Sequence, residues 1–143
     1  MELLSSTNAK GRIAVIDDDA VFVDLMRDLL AVGEGYEVVS APHWLQSIEF
    51  VRDAQPDLII LDLMLGRELS GWGVLELLRE DPRTAPIPVI LCSAAAPSLR
   101  HCGEPPSGRG AVEAVAKPFD VDDLIAVVER MLCASKIVAQ AQR

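Results

Sequence analysis

Five short runs of mainly apolar residues recur along the chain, each bounded by polar residues or a turn. The clearest is Asp57–Asp62, in which four unbroken apolar residues lie between two aspartates. Such a run is typical of a strand that is buried on both faces, as the central strands of a parallel sheet are. The other predicted strands are Ile13–Ile16, Tyr36–Ala41, Pro88–Ser93 and a weaker one at Ala111–Ala116.

Between the strands, apolar residues recur with the spacing of amphipathic helices. The first helix follows an acidic turn, and Gly33 and Gly35 should end it. Its apolar positions are Val21, Phe22, Leu25, Met26, Leu29 and Leu30. Asp19, at the start of this helix, is predicted to be its N-cap rather than a ligand.

Three further helices are predicted, at Pro42–Arg52, at Trp72–Glu80 and after the N-cap candidate Asp120. The apolar positions of the last helix are Leu124, Val127, Val128 and Met131. The segment 94–110 is rich in proline and glycine, so the fourth of five helices should be short or irregular.

Strands that alternate with helices predict an α/β fold, with a parallel sheet covered on both faces and right-handed crossovers. The chain of 143 residues is long enough for one domain with a substantial core. We expect a flexible N-terminal arm at 1–10, the domain at 11–133, and a helical extension or tail at 134–143.

Composition narrows the classes of function. Half of the residues are hydrophobic and only 4% are aromatic, so the core should be mainly aliphatic. The formal net charge of −9 argues against binding to nucleic acid or anionic lipid, but it permits a site for a divalent cation. Cys92, Cys102 and Cys133 lack CxxC spacing, and neither a signal peptide nor a membrane-spanning run is present, so we expect a cytoplasmic protein.

Polar residues follow four of the predicted strands. Asp17 and Asp18 come after the first strand, Asp62 ends the third, Ser93 ends the fourth and Lys117 follows the fifth. In a parallel sheet these ends share one edge, where three carboxylates would repel one another unless a cation such as Mg²⁺ lay among them. With the ammonium and the hydroxyl, such a set can hold a tetrahedral dianion on one carboxylate oxygen.

Each of these residues taken alone also has an ordinary interpretation. Asp62 could simply end a strand or cap a helix, Ser93 could be a capping hydroxyl, and Lys117 could be a surface lysine. Their joint occurrence at the ends of successive strands favours a shared site.

The chain resembles the receiver domain of two-component response regulators over residues 12–133. The motifs that carry the resemblance are Ile13–Asp19, Pro56–Met64, Pro88–Ser93 and Ala116–Phe119, in this order and at the family's spacing. The resemblance implies a flavodoxin-like, doubly wound sheet of strand order 2-1-3-4-5. It also implies a protein of two-component signal transduction, not an enzyme in the usual sense.

The resemblance implies that Asp62 accepts a phosphoryl group from a histidine kinase or a histidine phosphotransfer protein. It implies that Asp18 and Asp62 ligate Mg²⁺ directly, that Asp17 assists through water, and that the Met64 backbone carbonyl completes the protein ligands.

The family pattern also assigns the opposite side of the site. Ser93 and the backbone N–H of Ala94 would bind phosphoryl oxygens, and Lys117 would pair with Asp62 before transfer and with the phosphoryl group afterwards. The Lys117–Pro118 peptide bond is expected to be cis.

The sequence departs from the family pattern at several positions. Gly66 replaces a proline after the acceptor, and Ala114 stands where an aromatic residue usually takes part in the conformational switch. We therefore expect phosphorylation to act through the 94–110 segment. Met64 and Ala95 are apolar where polar residues can place a hydrolytic water, so self-dephosphorylation should be slow.

Other functions fit the sequence less well. A pseudo-receiver would use the same fold as a phosphorylation-independent docking module. An aspartyl-phosphate hydrolase needs a second aspartate where Met64 stands, and no GxxxxGK[ST] motif indicates nucleotide binding. We expect a stand-alone receiver that acts through an unidentified downstream protein, through a homodimer, or as a phosphate carrier between histidines.

Overall fold

The computed structural model describes residues 11–41, 47–62, 71–93, 112–117 and 119–141. For residues 47, 71, 72, 93 and 134–141 it describes the backbone alone. The short or irregular helix expected within 94–110 and the arm expected at 1–10 lie outside these ranges.

Five parallel strands form one sheet with the order β2-β1-β3-β4-β5, which confirms the predicted order. The strands are β1 (Arg12–Ile16), β2 (Glu37–Ala41), β3 (Leu58–Asp62), β4 (Val89–Ser93) and β5 (Val112–Ala116). Every residue of β3 is buried, as its apolar run predicted. In the register of β3 and β4, Asp62 lies beside Cys92.

Four helices accompany the sheet in the described part of the chain. They are α1 (Ala20–Met26), α2 (Ser47–Ala54), α3 (Gly71–Glu80) and α4 (Val121–Ala141). Helix α1 continues into a π-helical segment, Arg27–Val32. Asp120 precedes α4, and its carboxylate accepts a hydrogen bond from the Asp122 backbone N–H at 2.9 Å, as expected for an N-cap.

Alternate residues of the strands face opposite sides of the sheet and form two hydrophobic clusters. One cluster joins the sheet to α1 and α4 through residues that include Ile13, Ile60, Met26 and Val128. The other includes Ile59 and Leu91 of the sheet, Val51 of α2 and Leu78 of α3. Both faces of the sheet are therefore covered, by a core that is mainly aliphatic.

Helix α1 buries a narrower stripe than its apolar pattern predicted. Phe22, Met26 and Leu30 are buried, whereas Val21 is 76% exposed and Leu25 is 43% exposed. Successive helical residues are rotated by about 100° around the axis, so neighbouring positions face different directions, and Val23 and Leu29 are only partly buried against the core. Val21 and Leu25 each lie one position before a buried residue and face outward.

Gly33 ends the π-helical segment, as predicted. Its backbone N–H donates to the Asp28 carbonyl oxygen at 3.1 Å, a contact five residues back in the chain. A Cβ atom at this position would lie 2.7 Å from the Leu29 carbonyl oxygen. Any side chain at this position would therefore collide with the backbone, so the structure requires glycine here.

Replacing Gly33 by alanine should lower the free energy of unfolding by about 1–3 kcal/mol, because the new methyl group meets a backbone oxygen that cannot move alone. Urea denaturation of Gly33→Ala checks this. The matched control is Gly73→Ala in α3, where a Cβ would have no neighbour within 4 Å. Alanine there should raise stability by up to about 1 kcal/mol. Equal effects of the two substitutions would contradict the steric explanation.

Cys92 is fully buried in the core, as its apolar surroundings predicted, whereas Cys133 is exposed. The pKa of the Cys92 thiol is raised to about 12, chiefly by burial; the charge of Lys117 lowers this pKa, and the charges of Asp62 and Asp17 raise it. Because the thiolate is the reactive form, Cys92 should be inert near neutral pH.

In a Cys102→Ser background, Cys133 should react with a chromogenic disulfide reagent in the native protein, and Cys92 should react only after unfolding. At pH 8 a pKa of about 12 leaves a thiolate fraction about a thousandfold below that of an ordinary cysteine. A Cys133→Ser variant of the same background serves as the control. Rapid labelling of that native variant would show that Cys92 is accessible.

Candidate functional site

The carboxyl ends of β1, β3 and β5 bring four charged side chains together. Asp17 and Asp18 follow β1, Asp62 is the last residue of β3, and Lys117 follows β5. One carboxylate oxygen from each of the three aspartates can be chosen so that all lie within 4.8 Å of one another. The Lys117 Nζ atom lies 3.1 Å from Asp17 Oδ2 and 3.9 Å from Asp62 Oδ2. We call these four residues the acidic edge.

Asp17 is the most deeply placed member of the acidic edge, with 2% of its surface exposed. Its Oδ1 atom accepts a hydrogen bond from the Asp19 backbone N–H at 2.9 Å, and its Oδ2 atom accepts one from Lys117. Burial of a carboxylate costs several kcal/mol unless it is paired and hydrogen-bonded. Both carboxylate oxygens of Asp17 accept a hydrogen bond, and Oδ2 is also paired with the Lys117 ammonium.

Asp62 is also buried, with 8% of its surface exposed, whereas Asp18 is exposed to solvent. The acidic edge thus contains two buried carboxylates and one that faces water. Exposure of Asp18 leaves an approach from solvent to the two buried groups.

The donor set suits a hard divalent cation. Within the described part of this edge, three carboxylates stand against the single positive charge of Lys117, and all of their donor atoms are oxygens. Mg²⁺ prefers carboxylate and carbonyl oxygens and retains several waters, which an approach beside Asp18 accommodates. Asp17, Asp18 and Asp62 therefore fit a magnesium ion.

Lys117 contacts an aromatic ring as well as the two carboxylates. Its Nζ atom lies 4.0 Å from the centroid of the Phe22 ring. The Phe22 ring in turn meets the Phe119 ring edge to face, with centroids 6.1 Å apart and planes at 81°. From the sequence, Phe22 was predicted only to be an apolar position of the first helix. The signal that could have indicated a role near the site was its position four residues after Asp18.

Asp19 is the N-cap of α1, as predicted. Its carboxylate accepts a hydrogen bond from the Val21 backbone N–H at 3.0 Å, so it serves the helix and lies outside the acidic edge. The cap also fixes the start of α1 at Ala20, two residues after Asp18.

The remaining predictions about the site concern residues outside the described ranges and one residue of β4. Met64 and Ala94 lie outside the described residues, as does Pro118, whose peptide bond was expected to be cis. Ser93 ends β4 beside Ala116 of β5, with its backbone alone described. Ala114, three residues before Lys117, is a half-buried residue of β5.

Two open surface clefts, of about 350 and 470 Å³, lie elsewhere. Their walls come from α2, from the end of α3 and from the turn at 81–83, with Arg83 common to both. Neither cleft is lined by a residue of the acidic edge, so the two clefts are separate from that site.

In the described ranges, no helix has the length and apolar character required to cross a bilayer.

Comparison with known proteins places this chain in a family. Residues 13–129 match the response regulator receiver domain. The DNA-binding dual master transcriptional regulator RpaA of Synechocystis is 37% identical over 134 residues, which cover 92% of this chain and 53% of RpaA. The polar-differentiation response regulator DivK of Brucella anthropi is 31% identical over 121 residues, covering 84% of this chain and 94% of DivK.

A solved structure agrees with these sequence relationships. NtrX from Brucella abortus superimposes with a TM-score of 0.76 at 29% identity, covering 92% of this chain and 29% of NtrX. The chain thus spans about half the length of RpaA and nearly all of DivK. With the family match over most of its length, this chain belongs to the response regulator receiver domains of two-component signalling systems.

Proposed function

We propose that Asp62 accepts a phosphoryl group from the phosphohistidine of a histidine kinase or of a histidine phosphotransfer protein, in a reaction that depends on Mg²⁺. The observation that carries this proposal is the position of Asp62. Its carboxylate is nearly buried at the carboxyl end of the central strand, within reach of two further carboxylates and one ammonium group.

In the proposed reaction, a carboxylate oxygen of Asp62 attacks phosphorus. The new P–O bond forms as the P–N bond to the histidine breaks, and the imidazole leaves. A bound Mg²⁺ would supply positive charge to the site. Asp18 and Asp62 would bind the metal directly, Asp17 would assist through water, and the Met64 carbonyl oxygen would complete the set of protein ligands.

Lys117 and the end of β4 act on the other side of the phosphoryl group. The Lys117 ammonium already lies near Asp17 and Asp62, so a short movement would let it pair with a phosphoryl oxygen. The Ser93 hydroxyl and the Ala94 backbone N–H are proposed to donate to the remaining oxygens. The protein is a signalling phosphoacceptor, and any catalysis is limited to its own phosphorylation and a slow dephosphorylation.

The net charge of −9 favours a protein over nucleic acid as the direct partner of this chain. The downstream protein is unidentified, and a homodimer is a further candidate assembly. We propose a cytoplasmic location for the protein. The domain is proposed to span 11–133, followed by the 134–143 extension.

A pseudo-receiver is the second candidate function. Ala114 favours it, because the aromatic residue of the usual switch is replaced by a methyl group on β5. The acidic edge favours phosphorylation instead, since a docking module has no need for three adjacent carboxylates beside a lysine.

Incubation with acetyl phosphate and Mg²⁺ should add one phosphoryl group to the wild-type protein, and Asp62→Asn should abolish the addition because the amide is not a nucleophile. Intact-protein mass spectrometry measures the mass change. The matched control is Asp57→Asn, which changes an exposed aspartate directly before the same strand. A phosphorylated Asp62→Asn protein, or an unmodified wild type, would refute the assignment.

Asp18→Asn should weaken Mg²⁺ binding about tenfold or more, because a direct carboxylate ligand is lost. Isothermal titration calorimetry with MgCl₂ measures the change. Asp24→Asn, an equal change of charge on the outer face of α1, should leave the affinity nearly unaltered. Equal losses in the two variants would indicate a general electrostatic effect rather than a metal site.

A further inference from the structure

We infer that Phe22 is a positioning residue for Lys117, whose ammonium its aromatic ring holds beside Asp17 and Asp62. The claim about position rests on the contacts of Phe22, and the claim about reaction rate rests in addition on the proposed phosphorylation of Asp62. The two claims can be tested separately.

Among the described residues, the Lys117 ammonium has three neighbours, which are two carboxylates and one aromatic ring. Its Nζ atom lies 3.1 Å from Asp17 Oδ2, 3.9 Å from Asp62 Oδ2 and 4.0 Å from the centroid of the Phe22 ring. A cation over the face of a phenyl ring within about 6 Å is attracted by the ring quadrupole, and the attraction grows as water is excluded. The Lys117 side chain is only 23% exposed, so this contact is partly shielded from solvent.

The ring of Phe22 is fixed from two directions. Phe22 itself is 8% exposed and belongs to the hydrophobic cluster between the sheet and α1 and α4. Phe119, two residues after Lys117, meets the ring edge to face at 6.1 Å. The segment that carries the lysine therefore also carries a residue that orients the ring beneath it.

Phe22 also has a fixed relation to the acidic residues. Asp17 and Asp18 immediately precede Asp19, which caps α1, and Phe22 lies in the first turn of that helix. The two carboxylates and the ring thus lie within six consecutive residues around one capped helix start.

An aromatic contact suits an ammonium that must change partners. A lysine side chain has a long flexible stem, so something must restrict it if the ammonium is to stay near Asp62. The hydrogen bond to Asp17 orients the ammonium towards one acceptor, whereas the broad attraction of the ring face keeps the ammonium close without favouring either Asp17 or Asp62. The ammonium can then shift to a phosphoryl oxygen while it remains over the ring.

The competing explanation is that Phe22 only fills space in the core. Phe22→Leu distinguishes the two, because leucine keeps an apolar side chain and removes the ring quadrupole. Phe22→Tyr restores an aromatic ring. Phe50→Leu provides a matched control, because Phe50 packs against the hydrophobic cluster on the other face of the sheet.

The position of Lys117 can be measured without phosphorylation. The sequence contains three lysines, Lys10, Lys117 and Lys136, so selective ¹³C labelling at the lysine ε-carbon gives few signals. Lys117→Arg assigns the signal of interest. In the wild type the Lys117 ε-methylene protons should resonate upfield of the other two through the ring current. Phe22→Leu should abolish this shift, and Phe22→Tyr and Phe50→Leu should preserve it.

The rate of phosphorylation by acetyl phosphate gives the second measurement. Phe22→Leu should lower it about three- to tenfold, while Phe22→Tyr and Phe50→Leu remain near the wild-type rate. Mg²⁺ affinity should stay unchanged in all of them, because no carboxylate has been altered.

A wild-type Lys117 signal without an upfield shift would overturn the inference even if Phe22→Leu does not fold. An equal rate loss in Phe22→Leu and Phe50→Leu would reduce Phe22 to a packing residue. A shifted Lys117 signal in a wild-type protein that is never phosphorylated would instead refute the proposed function and leave the position of Lys117 established.

Discussion

Electrostatic repulsion at the carboxyl edge of the sheet is the constraint on which the site depends. Two charged oxygens within 4.8 Å repel each other by on the order of 3 kcal/mol at an effective dielectric constant of about 20, and the acidic edge contains three such carboxylates. Lys117 offsets part of this repulsion, and the remaining charge suits a divalent cation. The hydrophobic burial of the aliphatic strands, above all β3, stabilises the fold against this repulsion.

The hydrophobic core and the acidic edge are joined through shared residues. Phe22 belongs to the core cluster and lies against the Lys117 ammonium. Cys92 lies beside Asp62 in the sheet and keeps an apolar, protonated thiol next to that carboxylate. Lys117 and Asp62 thus each have a neighbour whose position the core packing fixes, which is how a preorganised site maintains its geometry.

Much of the fold could be predicted because its signals are local. The apolar run at Asp57–Asp62 predicted β3, and the other apolar runs predicted the remaining strands. Asp19 and Asp120 indicated where two of the helices begin. The exposure of Val21 and Leu25 could not be predicted, because spacing defines an apolar stripe wider than the face that meets the sheet. The π-helical segment after Met26 gave no sequence signal that we could identify.

The sequence by itself determined which chemical groups stand at the strand ends, because the polar residues that follow each apolar run can be identified directly and the order of elements specifies a parallel sheet. It could not determine distances between side chains that lie far apart in the chain. Only the tertiary structure placed the Lys117 ammonium nearer to Asp17 than to Asp62, and only it brought the Phe22 ring against that ammonium. These contacts join residues up to 100 positions apart, and they arise from how α1 and the end of β5 pack together.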